Sequence, residues 1–161
     1  MKAQRRGRRI SMSEEERDAF LSAARTCRVA TVNARGPHVA PLWFLWHGGS
    51  IWLYSITSSQ RFTDLRRDPR IAIVIDDGVE YDELRGVEIS GRARVVGEVP
   101  RVGEQEVPEL VPVEAAYARK YQKRDTLRYD GRHAWVTVDI EKIVSWDFRK
   151  LGEAANRARQ D

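Results

Sequence analysis

One cysteine in 161 residues, Cys27, excludes an intramolecular disulfide and a cysteine zinc site. Long apolar runs are also missing. None reaches membrane-spanning length, and no N-terminal stretch has the apolar centre of a signal peptide. The expectation is a cytoplasmic protein with no membrane partner. His38, His47 and His133 lie far apart, and none has metal-ligand spacing with an acid, so no metal is expected. There is no GxSxG elbow, no Walker loop and no GxGxxG. Asp76, Asp77, Glu80, Asp82 and Glu83 cluster, but as a solvated acidic loop. Nothing nominates a nucleophile or an acid–base pair, and catalytic residues stay unassigned. An enzyme built on this chain would draw its chemistry from a bound cofactor.

Surplus charge is missing from the body of the chain as well. The formal net charge is +4, yet Lys2, Arg5, Arg6, Arg8 and Arg9 supply five positive charges at the start. That leaves 23 basic against 24 acidic residues. The basicity belongs to an arm, read as a disordered segment over residues 1–12. Such an arm can bind nucleic acid, but the balanced body argues against that use.

What is present is a core. Hydrophobic residues make up 42% and there are five tryptophans, enough for one domain, placed at 13–150 with a frayed tail over 151–161. Ser13 and Glu16 have capping-box spacing. They open a helix with Phe20, Leu21 and Ala24 on one side, ending near Thr26. β-type runs at 28–33, 38–46 and 51–56 are joined by short turns, as in an antiparallel meander. The second run is apolar on both faces. One face should fill a barrel; the other needs a helix, a planar ligand or another subunit. Pro41 cannot donate to a ladder, so it marks an edge or a break in pairing. Further strands are expected at 70–75, at 85–99 with Gly91 as a bend or bulge, at 133–140 and at 143–148. A helix is expected at 113–122, and 97–112 has little pattern. Seven or so strands with three helices argue for a mainly β fold, a closed antiparallel barrel with helical trimmings.

One stretch draws chemistry together. Ile51–Tyr54 reads as the end of a strand, followed by the hydroxyls of Ser55, Thr57, Ser58 and Ser59. Arg61 then lies in a short helix that Asp68-Pro69 stops. A strand end, hydroxyls, a helix N-terminus and a cation together suit a phosphate. The same residues also read as an ordinary strand–turn–helix with Ser58 as N-cap and Arg61 solvated.

The segment 28–75 resembles the pyridoxamine 5′-phosphate oxidase-like, flavin-binding split-barrel proteins. The similarity rests on VATVNARGPHVAPLWF, then IWLYS, then the Ser-rich loop with Arg61, then DLRRDPRIAIVI. RGVEISGRA at 85–93 and KIVSWDF at 142–148 are similar to later strands of that family. The resemblance implies a six-stranded antiparallel split barrel and a homodimer, with FMN or the deazaflavin coenzyme F-420 in a groove at the subunit interface. By position it implies that Val39, Pro41, Leu42, Trp43 and Phe44 offer backbone groups to the ring. Tyr54 and Ser55 would line the groove, and Ser59, Gln60 and Arg61 would hold the phosphate. Trp146 would approach from the partner. The implied activity is hydride transfer to or from a small molecule. Gly86, where vitamin B6 oxidases commonly carry Gln, and Arg149-Lys150-Leu151-Gly152, in place of their basic tail, point away from pyridoxamine phosphate as substrate. A non-catalytic flavin- or haem-binding sensor or carrier is the alternative.

Overall fold

A computed structural model describes Gln4 and residues 7–152. Six strands close into a barrel: β1 (Thr26–Asn33), β2 (Gly36–His47), β3 (Ser50–Ile56), β4 (Arg70–Asp77), β5 (Arg85–Val96) and β6 (His133–Asp147). Their order around the barrel is β1-β2-β3-β6-β5-β4, and every neighbouring pair is antiparallel. Among the described residues three α-helices decorate it, α1 (Glu14–Ala23), α2 (Gln60–Arg67) and α3 (Leu110–Tyr117), the last running on into a π-type turn at Ala118–Gln122, besides 3-10 turns at Arg8–Ile10 and Tyr81–Glu83.

Six strands rather than seven follow from a bulge. The runs expected at 133–140 and 143–148 are one strand. Gly91 pairs with Ile140 while Ser90 pairs with Lys142, so Glu141 is the extra residue. At that point a Cβ on residue 91 would stand 2.2 Å from the Asp139 carbonyl oxygen, which is why glycine sits there. The polar Asp139, Glu141 and Lys142 break the sequence alternation without breaking the strand. The helix expected at 113–122 begins three residues earlier and tightens into the π-type turn after Tyr117.

Local rules account for the other boundaries. At α1 the Ser13 hydroxyl accepts from the Glu16 N–H, and the Ser13 N–H donates to Glu16 Oε2 at 2.7 Å. The far end of α1 is closed by the π-type turn. Lys120 Nζ donates to the carbonyls of Ser22 (3.0 Å) and Ala24 (2.5 Å), a cation at the negative end of a helix. Before Ser13, the described residues lie against β6. Gln4 exchanges two 3.0 Å hydrogen bonds with the Ser145 backbone, and the Met12 N–H donates to Ser145 Oγ. The arm's residues 1–3, 5 and 6, and the tail beyond Gly152, lie outside the described residues. Among the described residues no helix is long and apolar enough to cross a membrane.

Two cores form back to back. Inside the barrel, Phe44, Leu53, Ile73, Ile89 and Val136 are wholly buried. Each such side chain contributes roughly 1.5–3 kcal/mol of burial. Outside, α3 covers Leu45, Trp52, Tyr54 and Trp135 on the outer faces of β2, β3 and β6. The two-faced apolar β2 is thus resolved in halves: Leu42, Phe44 and Trp46 turn inward, and Leu45 turns outward beneath α3. Val39 and Trp43, on that same outer side, remain 62% and 49% exposed.

Asp64 clamps α2 to β1. It is fully buried and accepts from Thr31 Oγ1 (3.0 Å), Asn33 Nδ2 (3.1 and 3.2 Å) and Gln60 Nε2 (2.7 Å). Burial alone would raise its carboxyl, but the Gln60, Asn33 and Thr31 hydrogen bonds outweigh it and hold the group below its ordinary value. A lowered native value means the stabilisation is whole above the unfolded carboxyl's range, about pH 4, and drains away as pH falls through the native value. Asp64→Ala should cost about 2–4 kcal/mol by stranding three donors and should flatten the acid limb of stability. Urea midpoints at pH 7 and pH 3 check both; an unchanged acid limb would rule the clamp out.

Candidate functional site

The barrel splits where β2 leaves β3. Residues Gly36 to Trp43 of β2 pair with β1, whereas only Phe44–His47 pair with β3. β3 instead runs on against β6, with Tyr54 opposite Trp135 and Ile56 opposite His133. Pro41 sits in the stretch free of β3, so its missing donor costs no ladder bond on that side. The split leaves the outer side of Val39, Pro41 and Trp43 open.

Alternation along β3 then separates the predicted residues. Ser55 turns toward the barrel end, where Arg61 Nη2 donates to its Oγ at 3.2 Å. Tyr54 turns the other way, into the aromatic layer under α3. Ser59, not Ser58, caps α2: its hydroxyl accepts from the Phe62 N–H at 3.2 Å and donates to the Ile56 carbonyl at 2.7 Å. Gln60 is held by Asp64 and reached by Arg35 at 3.4 Å. Leu42 and Phe44 belong to the barrel core. Trp146 pairs with Gly86 at the far end of β6, eleven residues beyond Trp135, or roughly 35 Å of strand. Within one chain Trp146 does not join Tyr54.

Arg61 is the electrostatic anomaly. It is 7% exposed, its Nε has no partner, and among the described residues it forms no ion pair. Burial lowers its pKa. The nearby Cys27 thiol supplies no counter-charge, because burial pushes it up to about 12 and keeps it neutral. Arg101, the other buried arginine, shows what compensation looks like. It donates to Glu98 and, through Nε at 2.8 Å, to Glu114 Oε1. A buried cation without a carboxylate is costly unless an anion joins it. The first turn of α2 adds N–H groups without intrahelical partners. An anion such as a cofactor phosphate fits this corner, with Arg61 as the group still free to hold it and Ser55 beside it. Ser59 and Gln60 already spend their side chains on the fold.

Where the C-terminal end of α3 and its π-type turn meet β2, β3 and the 123–132 loop lies a cavity of about 670 Å³, within the size range of small-molecule sites. Trp43 and Tyr121 stack on one side at 4.6 Å and 13°. Tyr54 lies at the base, stacked on His133 at 4.7 Å, with its hydroxyl buried and unpartnered. Burial pushes the Tyr54 phenol up and holds Tyr117 up at about 12, so both remain donors at neutral pH. His133 Nδ1 meets Asp130 Oδ2 at 2.7 Å, and Arg128 and Arg132 stand at the mouth.

Three features escaped the sequence reading. Glu98, Arg101 and Glu114 form a buried charge network that fixes α3 and the 97–109 loop. Glu114 in the apolar LVPVEAAY of α3 was the available signal. The Asp130–His133 pair and the Tyr121 hydroxyl, which donates to the Phe44 carbonyl at 2.6 Å, had none.

Gly86 explains one departure from the vitamin B6 oxidases. A Cβ there would lie 2.4 Å from the Trp146 ring and 2.8 Å from the Ile75 carbonyl oxygen. Trp146 occupies the space that a side chain at 86 would need. Gly86→Gln should therefore cost roughly 1–3 kcal/mol, and Trp146→Ala should recover part of that loss. Denaturant midpoints of the two single variants and the double variant check it; strict additivity would contradict the contact. The basic residues of the tail are occupied too: Arg149 pairs with Asp147 at 2.5 Å, and Lys150 with Glu16 at 2.5 Å.

Residues 13–147 match a family model described as pyridoxamine 5′-phosphate oxidase. A conserved hypothetical protein of Mycobacterium tuberculosis is 33% identical, with a TM-score of 0.74 over 94% of this chain and 93% of its own. A FAD-binding protein of Mesorhizobium loti shares the fold at 16% identity and TM-score 0.62, over 84% and 93% of the two chains. A FAD-binding protein of Mycobacterium smegmatis does so at 18% identity and TM-score 0.59, over 84% and 95%. No curated protein matches.

Proposed function

Because the chain belongs to the pyridoxamine 5′-phosphate oxidase family, we propose that it binds a flavin-type cofactor, FMN or the deazaflavin F-420, and serves hydride transfer. The substrate is a small molecule other than pyridoxamine phosphate. The observation that carries the reading is Arg61, a buried cation with no carboxylate at the mouth of a hydroxyl-rich loop. When bound, the cofactor supplies the two-electron chemistry.

The chain's own residues bind and position. Arg61 and Ser55 hold the phosphate by a charge-assisted contact. The backbone of Val39–Phe44, free of β3 before Phe44, offers N–H and C=O groups to the ring edge. Trp43 and Tyr54 exclude water beside it. The exposed outer side of Val39, Pro41 and Trp43 receives a second copy of the chain. Only a second copy could bring Trp146 to the same groove, since its own β6 carries it away.

Titration of the purified protein with FMN and separately with F-420, followed by fluorescence, tests the reading. Saturable binding of one of them by a dimer supports it. Binding of neither by a folded protein overturns it. Tight binding with no turnover over a panel of acceptors would make the protein a carrier.

A further inference from the structure

We infer that the cavity at the C-terminal end of α3 is the substrate half of the site and takes a planar aromatic anion of one or two rings. The inference rests on the flavin reading through the shared wall of Trp43 and Tyr54.

Shape comes first. The cavity, at about 670 Å³, is large enough for two fused rings, and six of its ten lining residues carry rings: Trp43, Tyr54, Tyr117, Tyr121, Tyr129 and His133. Trp43 and Tyr121 are nearly parallel, and Tyr54 and His133 are stacked at 19°. Each pair is in mutual contact, at 4.6 and 4.7 Å, and aromatic rings so held favour an aromatic guest, which can pack on them face to face or edge to face.

Polarity sets the guest's charge. Arg128 and Arg132 stand at the mouth against one carboxylate, Asp130. Asp130 is already committed to His133 at 2.7 Å and lies 3.8 Å from Arg132. Among the described residues Arg128 forms no side-chain ion pair. Its backbone is fixed from both sides by Gln122, which accepts from the Arg128 N–H at 2.8 Å and donates to its carbonyl at 3.3 Å. The mouth therefore carries net positive charge on a pinned loop. Deeper in, the Tyr54 hydroxyl is a buried donor with nothing to donate to. A guest with an acceptor on its ring and an anionic group toward the mouth satisfies both. A cation would face two arginines, and a bare inorganic anion would leave the ring walls unused.

Calorimetry with 6-hydroxy-2-naphthoate (hereafter naphthoate), whose ring oxygen can accept from Tyr54, and with uncharged 6-(hydroxymethyl)-2-naphthol (hereafter the alcohol) as its control, tests the inference on the full-length protein with and without FMN. Naphthoate should bind saturably, with affinity changed less than about twofold by FMN. Arg128→Ala/Arg132→Ala should weaken naphthoate by tenfold or more and leave the alcohol unchanged. Tyr54→Phe should weaken both by several-fold; circular dichroism checks that each variant folds. Arg61→Ala should lose FMN yet keep naphthoate, which separates the two readings. Absence of saturable naphthoate binding, or equal binding of acid and alcohol in all variants, overturns the inference. Displacement of naphthoate by FMN, one for one, overturns it too, by giving the cavity to the cofactor ring. Naphthoate binding by a wild-type protein that binds no flavin overturns the substrate role.

Discussion

Arg61→Met is expected to make the cofactor-free protein more stable and the cofactor-binding protein useless. Methionine keeps much of the volume and removes a charge that burial disfavours. Replacing uncompensated buried charge with apolar packing gains about 1 kcal/mol or more. The opposite sign applies to binding. A hydrogen bond to a charged group is worth roughly 1.5–3 kcal/mol, so FMN or F-420 affinity should fall about 10- to 150-fold. Thermal unfolding with and without cofactor reads both signs in one experiment. Wild type should gain stability on adding cofactor, by mass action, whereas Arg61→Met should start higher and gain little. A variant that starts lower and still responds to cofactor would show that Arg61 serves the fold and not the phosphate.

The opposed signs are what a binding site looks like in a fold otherwise internally consistent. Arg101 pairs with two carboxylates and Asp64 meets three donors, so the chain does satisfy its buried polar groups. Among the described residues four buried polar atoms lack a partner, His38 Nδ1, Trp52 Nε1, the Tyr54 hydroxyl and Arg61 Nε; the last two lie on different sides of β3, each beside one of the candidate sites. One side suits a phosphate, the other an acceptor on a ring.

Local signals wrote most of this fold legibly. Ser13 and Glu16 are neighbours through a capping box. Pro41 marks a break in pairing, and Gly91 marks a bulge. All three depend on residues close in sequence or on backbone constraint. The barrel's closure was readable as well, because consecutive apolar strands leave few other topologies. The strand count was not, since Glu141 hides the continuity of β6. Nor was the state of Arg61. Its position suggested a phosphate, but whether it is solvated or buried depends on the packing of the folded barrel, which brings Cys27 from the distant β1 close to it. Ser59 in place of Ser58 as cap is the one-residue uncertainty of any helix start. The cavity was invisible for a similar reason. Trp43, Tyr54, Tyr121 and His133 span ninety residues of chain and meet only once α3 has folded over the outer face of the barrel.

That covering helix depends on Glu114, and the largest loss of stability is expected there. Glu114 accepts from Arg101 Nε (2.8 Å), the Tyr129 hydroxyl (2.8 Å) and Trp135 Nε1 (3.1 Å). Glu114→Leu keeps an apolar volume in α3 but removes the acceptor of all three donors and leaves Arg101, a cation only 4% exposed, with Glu98 as its one carboxylate. Breaking one side of a buried pair costs about 3–5 kcal/mol, or on the order of 10 °C in Tm for a chain of this length. Arg101→Met added to Glu114→Leu should restore part of the loss, because the half-paired buried charge and its unbonded Nε go with it. Glu98 would still accept from the Glu104 and Gln105 N–H groups at 2.8 and 3.2 Å, so its loop keeps an anchor. Tyr129 lines the cavity, and the single variant should therefore also loosen naphthoate binding while FMN affinity, set at Arg61, holds. A loss under 1 kcal/mol, or a double variant weaker than the single one, would mean that α3 is held by its apolar face alone. The network would then be an ornament of the surface loop and no part of what shapes the cavity.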